Sequence, residues 1–346
     1  MGCISAVTTF LFAFFVIIFT ILDYICILII WALSKCCLSK SSTEGAALVC
    51  TKFFWTCALR ASCWIRTTFT TPGAWALLTA DLIAFDAAVK SGSVGQPVYI
   101  MHNHVSYLDS VVIPTIVPFR VLVRTRIYMS SHLYKIPLFG FMVKVMGHFP
   151  VWFLKIADKY YKTDPEKMKV TEARVDAHVA RGGILSLFPE AQINRTEPTP
   201  HNLQPFRYGT FKRALQDDAK IWNLVMFGHE KVWPATVGLA SNPARIGSAL
   251  YPVTPAGARA FVEAIKAEGG TETGKEDFVI LTEAAQAAMQ GHYNALREAI
   301  EGSGSAWNGR VQPESTSPTV GSQGETGASQ ASPAQPTPKG TSLDGL

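Results

Sequence analysis

Two histidines and an aspartate lie close together in HNHVSYLD (residues 102–109), which follows a short apolar run. Asp109 comes five positions after His104, little more than one helical turn, so its carboxylate can accept a hydrogen bond from one imidazole nitrogen. Such a bond fixes the tautomer of the ring and leaves the other nitrogen free to take a proton. A pair of this kind, without a serine or cysteine nucleophile, is suited to activating the hydroxyl group of a substrate.

On spacing alone, three interpretations of this segment stay open: a general base, a structural histidine that caps a helix, and a metal pair formed by His102 and His104. No G-x-S-x-G segment occurs, which disfavours a serine acyl-enzyme. All seven cysteines precede residue 64, so the rest of the chain has neither a cysteine nucleophile nor a disulfide. The cysteines also lack the C-x2-C pairs of a zinc site, and we predict no metal centre.

Beyond Gly92 the sequence alternates between short apolar runs and amphipathic runs. The elements that these runs form must position the HNHVSYLD segment. Strand-helix alternation predicts an α/β fold with a sheet that is at least partly parallel. Strands of such sheets deliver functional groups at their carboxyl ends, which places His104 at an opening. The predicted strands are 96–101, 120–125, 184–188 and 222–228, and the predicted helices are 130–147, 165–183 and 277–301.

The N-terminal segment predicts a membrane anchor at residues 1–44. From Ile4 to Leu33 the one acidic or basic side chain is Asp23. As a single helix this stretch would be about 45 Å long, against a hydrocarbon core of about 30 Å. Because a carboxylate is costly at mid-bilayer, Asp23 should lie near a boundary or within a helix packing, and the anchor is one span or a hairpin. Basic residues follow the anchor, so the positive-inside rule places the main domain in the cytosol.

Three further regions follow the anchor. Residues 45–95 interleave aromatic and basic side chains, which predicts amphipathic interfacial helices, with a core helix layer as the alternative. Residues 96–301 form the predicted α/β domain, and 302–346 are rich in Ser, Pro, Gly and Thr and are predicted to be disordered. The net charge is only +5, yet 120–169 contain ten Lys and Arg against three Asp and Glu, which suits phosphate or anionic headgroups.

The segment NHVSYLD (103–109) resembles the N-H-x4-D signature of the glycerolipid acyltransferases, the lysophosphatidic acid acyltransferase family. Four later segments resemble further blocks of the family in the same order, so the resemblance runs from about residue 45 to 300. They are LYKIPLFGFMVKVMGHFPV (133–151), LFPEAQINR (187–195), FRYGTFK (206–212) and VWPATVG (232–238).

The resemblance implies a mixed sheet flanked by helices, with His104 as general base and Asp109 as its orienting carboxylate. It implies substrate-binding residues in two loops: Asn103, Phe188, Pro189 and Glu190. The chain departs from the family at Ala191, where a glycine is usual, and at Phe153, where an arginine that holds phosphate is usual. We expect Arg195 or Lys155 to supply that cation instead.

The activity that the resemblance implies is acyl transfer from acyl-CoA to 1-acyl-glycerol-3-phosphate (lysophosphatidic acid), giving phosphatidic acid in phospholipid biosynthesis. Acyl-CoA would be a co-substrate, and no cofactor is expected. The expected partners are acyl-CoA, lysophosphatidic acid and membrane lipids, without nucleic acid, at the endoplasmic reticulum. The alternatives are another acceptor, such as glycerol-3-phosphate or another lysophospholipid, a metal-dependent hydrolase that uses His102 and His104, and a non-catalytic lipid-binding membrane protein.

Overall fold

The computed structural model describes residues 3–157, 160–195, 201–269 and 274–302, all within one structural unit, Met1–Gly309. The tail predicted to be disordered lies outside the described residues, apart from Gly302. The strands are β1 (Ile65–Phe69), β2 (Val98–His102), β3 (Thr125–Ser130), β4 (Phe149–Val151), β5 (Phe153–Ala157), β6 (Tyr160–Thr163), β7 (Ile184–Leu187), β8 (Lys220–Phe227) and β9 (Ala244–Pro252).

Helices account for most of the remaining described residues. They are α1 (Cys3–Leu33), α2 (Lys40–Ala61), α3 (Ala74–Ser91), α4 (Asp109–Ile116), α5 (Phe119–Leu122), α6 (Phe139–Val145), α7 (Pro165–Val179), α8 (Tyr208–Gln216), α9 (His229–Val232), α10 (Ala258–Ala267) and α11 (Asp277–Glu301).

A seven-stranded sheet in the order β1-β9-β8-β2-β7-β3-β4 forms the centre of the fold, and β5 pairs with β6 in a separate hairpin. Among the described strands of the large sheet, every pair is parallel except β8 with β9. Strand β2 lies between β7 and β8, so the carboxyl ends of these three strands meet at one edge of the sheet. The predicted fold class, a mixed sheet flanked by helices after an N-terminal apolar helix, is confirmed.

Helices cover both faces of the sheet, as expected for a parallel sheet whose central strands are apolar on both sides. All five residues of β2 are buried. Successive side chains of a strand point to opposite faces. Tyr99 and Met101 therefore contribute to one core, under α7, α8, α10 and α11, whereas Val98 and Ile100 contribute to the other, under α1 to α6. The sheet therefore lies between two layers of helices. This packing holds the loops at the carboxyl edge of the sheet in place.

Helix α1 is continuous, so the break at Asp23 that a hairpin within residues 1–44 requires does not occur. Asp23 is fully buried, in the packing against Thr51 and Cys50 of α2. A carboxylate inside a helix packing is shielded from lipid, which removes the reason to end the helix there. The other side of α1 exposes a row of large apolar side chains, such as Phe10 and Ile17. Among the described residues, α1 is the helix whose length and composition would allow it to cross a membrane.

Three local predictions were wrong. The strand predicted at 120–125 does not form as such, because α5 (Phe119–Leu122) follows Pro118, and β3 starts only at Thr125. The single helix predicted for 130–147 is divided into a short 3-10 turn and α6, because the residue before Pro137 is forced towards the extended conformation. The region 45–95 contains β1 between its two helices, and β1 extends the sheet by pairing with β9.

Candidate active site

His104 lies in the loop between β2 and α4, at the carboxyl edge of the sheet. Its Nδ1 lies 2.9 Å from Oδ2 of Asp109, the first residue of α4. The histidine side chain is 15% exposed, and Nε2 has no hydrogen-bond partner within the described part of the chain. The two side chains are thus in contact, as their spacing predicts, with one imidazole nitrogen held and the other open to the surface.

Asp109 is fully buried and accepts four hydrogen bonds. Oδ2 accepts from His104 and from the backbone amides of Val105 (2.9 Å) and Ser106 (3.0 Å). Oδ1 accepts from Nδ1 of His229 at 2.7 Å. Burial alone would raise the pKa of this carboxyl group, but the hydrogen bonds and charges of the two histidines lower it to about 2. Asp109 is therefore an anion over the whole physiological range.

His229 is a site residue that the sequence analysis missed. It begins α9 directly after β8, and it is fully buried. The preceding Gly228 has φ 82°, and a Cβ there would lie 2.6 Å from the carbonyl oxygen of Arg245. Glycine thus allows the sharp turn that aims the histidine back at Asp109. A histidine directly after a buried strand is the same signal that drew attention to His104, so this residue could have been found.

Glu190 lies in the loop after β7 and is almost fully buried, with 1% exposed. Oε1 accepts from the backbone amide of His104 at 2.9 Å, and Oε2 accepts from the amide of Gln204 at 2.9 Å. The amide of Asn194 in turn donates to the carbonyl of His104 at 2.6 Å. Burial raises the pKa of Glu190 to about 7. Its carboxylate therefore braces the backbone that carries the catalytic candidate, and both of its oxygens are occupied there.

The residues on either side of Glu190 shape the wall of the site. The ring of Phe188 stacks on the imidazole of His104, with centroids 4.1 Å apart and an interplanar angle of 25°. The carbonyl of Pro189 accepts from the amide of Arg207 at 2.9 Å. Ala191 has φ 59°, the left-handed region that favours glycine. The alanine thus adopts the conformation of the glycine it replaces, at a cost of about 1 kcal/mol.

Two predicted or alternative site residues point away from the opening. Asn103 is fully buried, and its amide group forms two hydrogen bonds with the backbone of Met226, at 2.9 and 2.7 Å. It therefore joins β2 to β8 and has no free group for a substrate. His102 is buried with Nε2 2.5 Å from Oγ of Ser186, and burial lowers its pKa to about 3. His102 and His104 consequently do not face one another as a metal pair, and no group of three or more metal-ligating side chains occurs among the described residues.

Of the two candidate cations, Arg195 and Lys155, the structure describes the side chain of Arg195. Arg195 is exposed, and its Nη2 donates to the hydroxyl of Tyr107 at 3.1 Å, three residues after His104 in sequence. The structure thus brings Arg195 to the loop that carries the histidine. Lys155 lies in β5, but its side chain is outside the described residues. Phe153, which stands where the family has arginine, is an exposed residue of the same strand.

The block VWPATVG closes the site on its other side, next to α1. Oγ of Ser106 donates to the carbonyl of Trp233 at 2.6 Å, and Ser106 pairs with Pro234 in an isolated β-bridge. Phe12 of α1 is fully buried and packs edge-on against Trp233, with centroids 5.9 Å apart. The apolar N-terminal helix therefore lies directly beside the candidate active site.

Comparisons with known proteins bear on the fold and on the central part of the chain. Residues 87–226 match the family model described as Acyltransferase. The matched residues include the N-H-x4-D and F-P-E segments, so this part of the chain is similar to the acyltransferase family. Among solved structures it is similar to the 1-acyl-sn-glycerophosphate (LPA) acyltransferase PlsC from Thermotoga maritima, with a TM-score of 0.52 and 11% sequence identity over 88% of this chain and 98% of PlsC. At that identity the likeness shows the fold. No curated protein sequence matches the chain.

Proposed function

We propose that this acyltransferase moves an acyl chain from acyl-CoA to the free hydroxyl of lysophosphatidic acid, giving phosphatidic acid. The observation that carries the proposal is the His104–Asp109 contact of 2.9 Å, with Nε2 of the histidine left open at the carboxyl edge of the sheet. The acyl-CoA donor and the phosphate-bearing acceptor are what the resemblance of these motifs to the lysophosphatidic acid acyltransferase family implies. The neighbouring PlsC structure, whose name specifies LPA, supports the same choice.

In the proposed reaction His104 acts as general base. Nε2 takes the proton of the acceptor hydroxyl as its oxygen attacks the thioester carbonyl, so a C–O bond forms and a tetrahedral oxyanion results. The oxyanion then collapses, the C–S bond breaks, and the thiolate of coenzyme A leaves and takes a proton from the imidazolium. Base catalysis of this kind contributes about 10²- to 10⁴-fold. Asp109 holds the proton on Nδ1 and stabilises the imidazolium.

Arg195 is the proposed partner of the acceptor phosphate, because it is exposed and bonded to Tyr107 in the histidine loop. Lys155 is kept as the second candidate. Phe188 supplies an apolar wall beside the imidazole, which suits a lipid. The apolar helix α1 beside Trp233 supports a site at a membrane surface, and the basic residues that follow α1 support a cytosolic orientation. The membrane that we propose is that of the endoplasmic reticulum.

The geometry favours catalysis over the two alternatives from other classes. A metal-dependent hydrolase would need both histidines at one opening, yet His102 is buried against Ser186. A non-catalytic protein would be favoured if the departures from the family at Ala191 and Phe153 disrupted the site. Ala191 adopts the left-handed conformation of a glycine, and Arg195 offers a cation near His104, so neither departure dismantles the site.

The test measures coenzyme A release by purified protein in neutral detergent, with oleoyl-CoA and a panel of acceptors. We expect lysophosphatidic acid to be used best, ahead of glycerol-3-phosphate and lysophosphatidylcholine, and His104→Ala to lower the rate by about 10³-fold. His132→Ala is the matched control, because His132 is exposed and lies outside the site. An undiminished rate in His104→Ala would refute the catalytic role. A different preferred acceptor would replace lysophosphatidic acid and leave the chemistry in place.

A further inference from the structure

A cavity of about 490 Å³ lies between the start of α2, the approach to β4 and the outer face of α7. Its floor is partly made of Ala173 and Ala177, whose small side chains leave room above the helix. The residues that contribute charge or a polar ring to its walls are Lys40, Glu44, Lys169, Arg174, His178 and Arg181. None of them belongs to the candidate active site.

The cavity lies at the opposite edge of the sheet from His104. Gly147 comes just before β4, and Arg181 comes just before β7, so both mark the amino ends of parallel strands. His104 follows the carboxyl end of β2, which is parallel to β7. A strand of four to five residues separates the two edges by roughly 15 Å. A ligand in the cavity therefore does not occupy the site of acyl transfer.

The cavity carries an excess of positive charge. Four of its lining residues are cations: Lys40, Lys169, Arg174 and Arg181. The acidic lining residue, Glu44, is bound to the buried guanidinium of Arg126 at 2.9 Å, which neutralises it. Lys169 has an ion pair with Glu166 at the surface, and Arg174 donates to the carbonyl of His148 at 3.3 Å. A concave wall of cations above apolar surface attracts anions more strongly than scattered charges do.

We propose that this cavity binds a phosphate-bearing anion, and that the headgroup of an anionic phospholipid is its source. Lys40 begins α2 only seven residues after the apolar helix α1 ends at Leu33. The cavity thus opens near the end of the apolar helix α1, whose exposed apolar side would bring it close to lipid headgroups. Val170, 67% exposed, adds apolar surface next to the cations, which suits a headgroup with the start of its acyl chains.

Calorimetric titration of the full chain in neutral detergent tests the proposal. The probes are dihexanoyl phosphatidylglycerol, dihexanoyl phosphatidylcholine and inorganic phosphate. We expect phosphatidylglycerol to bind, and the double substitution Lys40→Glu with Arg181→Glu to weaken its binding at least about tenfold. The matched control, Lys90→Glu with Lys212→Glu, changes the net charge equally but lies outside the cavity, so it should bind like the wild type.

Two further comparisons locate the ligand and identify its source. Arg195→Ala should leave phosphatidylglycerol binding unchanged, since Arg195 belongs to the other edge of the sheet. If inorganic phosphate binds as tightly as phosphatidylglycerol, with the same loss in the cavity variant, the site keeps its phosphate chemistry and takes a soluble ligand. Equal binding of phosphatidylcholine, or equal loss in both double variants, would overturn the proposal. Because the active-site residues are intact in the cavity variant, this outcome is independent of the acyltransferase test.

Discussion

Two buried carboxylates flank His104, and they behave in opposite ways. Asp109 follows the loop after β2 and has a pKa near 2, whereas Glu190 follows β7 and has a pKa near 7. Burial raises the pKa of both. The difference lies in the donors: Asp109 accepts from two imidazoles and two amides, and Glu190 accepts from two amides alone. The hydrogen bonds from two imidazoles therefore keep Asp109 charged, whereas two amide donors do not keep the pKa of Glu190 low.

The two carboxylates therefore have different roles at the site. Asp109 stays charged, so it can hold the proton on Nδ1 of His104 throughout the reaction. Glu190 is partly protonated near neutral pH, and its hydrogen bonds go to backbone amides. The first carboxylate orients the imidazole, and the second fixes the peptide that carries it.

The largest expected effect comes from removing the charge of Asp109. Asp109→Asn would present an amide N–H to at least one of the four donors that now bind the carboxylate. The tautomer of His104 would no longer be fixed, and we expect kcat/KM for coenzyme A release to fall about 10³-fold. Ser110→Ala, at an exposed neighbouring residue, is the control. A loss smaller than about tenfold would mean that the carboxylate does not orient the base.

The second effect is a change in the pH dependence of stability. The pKa of Glu190 is raised from 4.5 in the unfolded chain to about 7 in the folded one, so the wild type loses stability as pH rises between these values. Glu190→Gln removes that loss. Relative to the wild type, we expect the free energy of unfolding of the variant to gain about 3 kcal/mol between pH 4.5 and 8.

Chemical unfolding in detergent, followed by tryptophan fluorescence at several pH values, measures this difference. Glu166→Gln is the matched control, because it is the same substitution at a carboxylate that is 77% exposed in the folded chain. If the difference in stability between Glu190→Gln and the wild type does not change with pH, the pKa of Glu190 is not raised in the folded protein. The two carboxylates would then differ less than we expect.

The smallest expected effect comes from removing one donor of Asp109. His229→Leu leaves Oδ1 of Asp109 without its partner at 2.7 Å, and the loss of that bond should raise the pKa of the carboxyl group. We expect kcat/KM to fall about tenfold, because one of the two imidazole bonds remains. His229→Asn, whose amide can donate from nearly the same place, should restore much of the activity. Equal activity of the Leu and Asn variants would argue that His229 only fills space.

Sequence reasoning succeeded where the information is local. The bounds predicted for α11 match those of the structure, and the strands that became β2, β7 and β8 were found from their apolar runs. The His104–Asp109 contact follows from five residues of spacing within one loop. The predicted strand at 120–125 failed because a short apolar run does not distinguish a buried helical turn from a strand.

The missing parts of the site depend on long-range pairing. His229 is 120 residues from Asp109 in sequence, and only the alignment of β2 with β8 brings them together. The bond from the amide of His104 to Glu190 similarly requires β2 beside β7. Strands β1 and β9 were not foreseen, because β1 lies among aromatic and basic residues typical of an interface. Strand order depends on the whole chain, so it cannot be predicted from any one short segment of the sequence.

The N-terminal helix is built into the domain over much of its length. Phe12 packs on Trp233, Phe19 lies 6.5 Å from Phe54 between ring centroids, and Ile27 is fully buried. Cutting the chain before α2 would therefore not release a water-soluble enzyme. It would exchange the apolar outer side of one helix for newly uncovered aromatic rings, and it would remove the helix that packs on Trp233 beside the candidate active site.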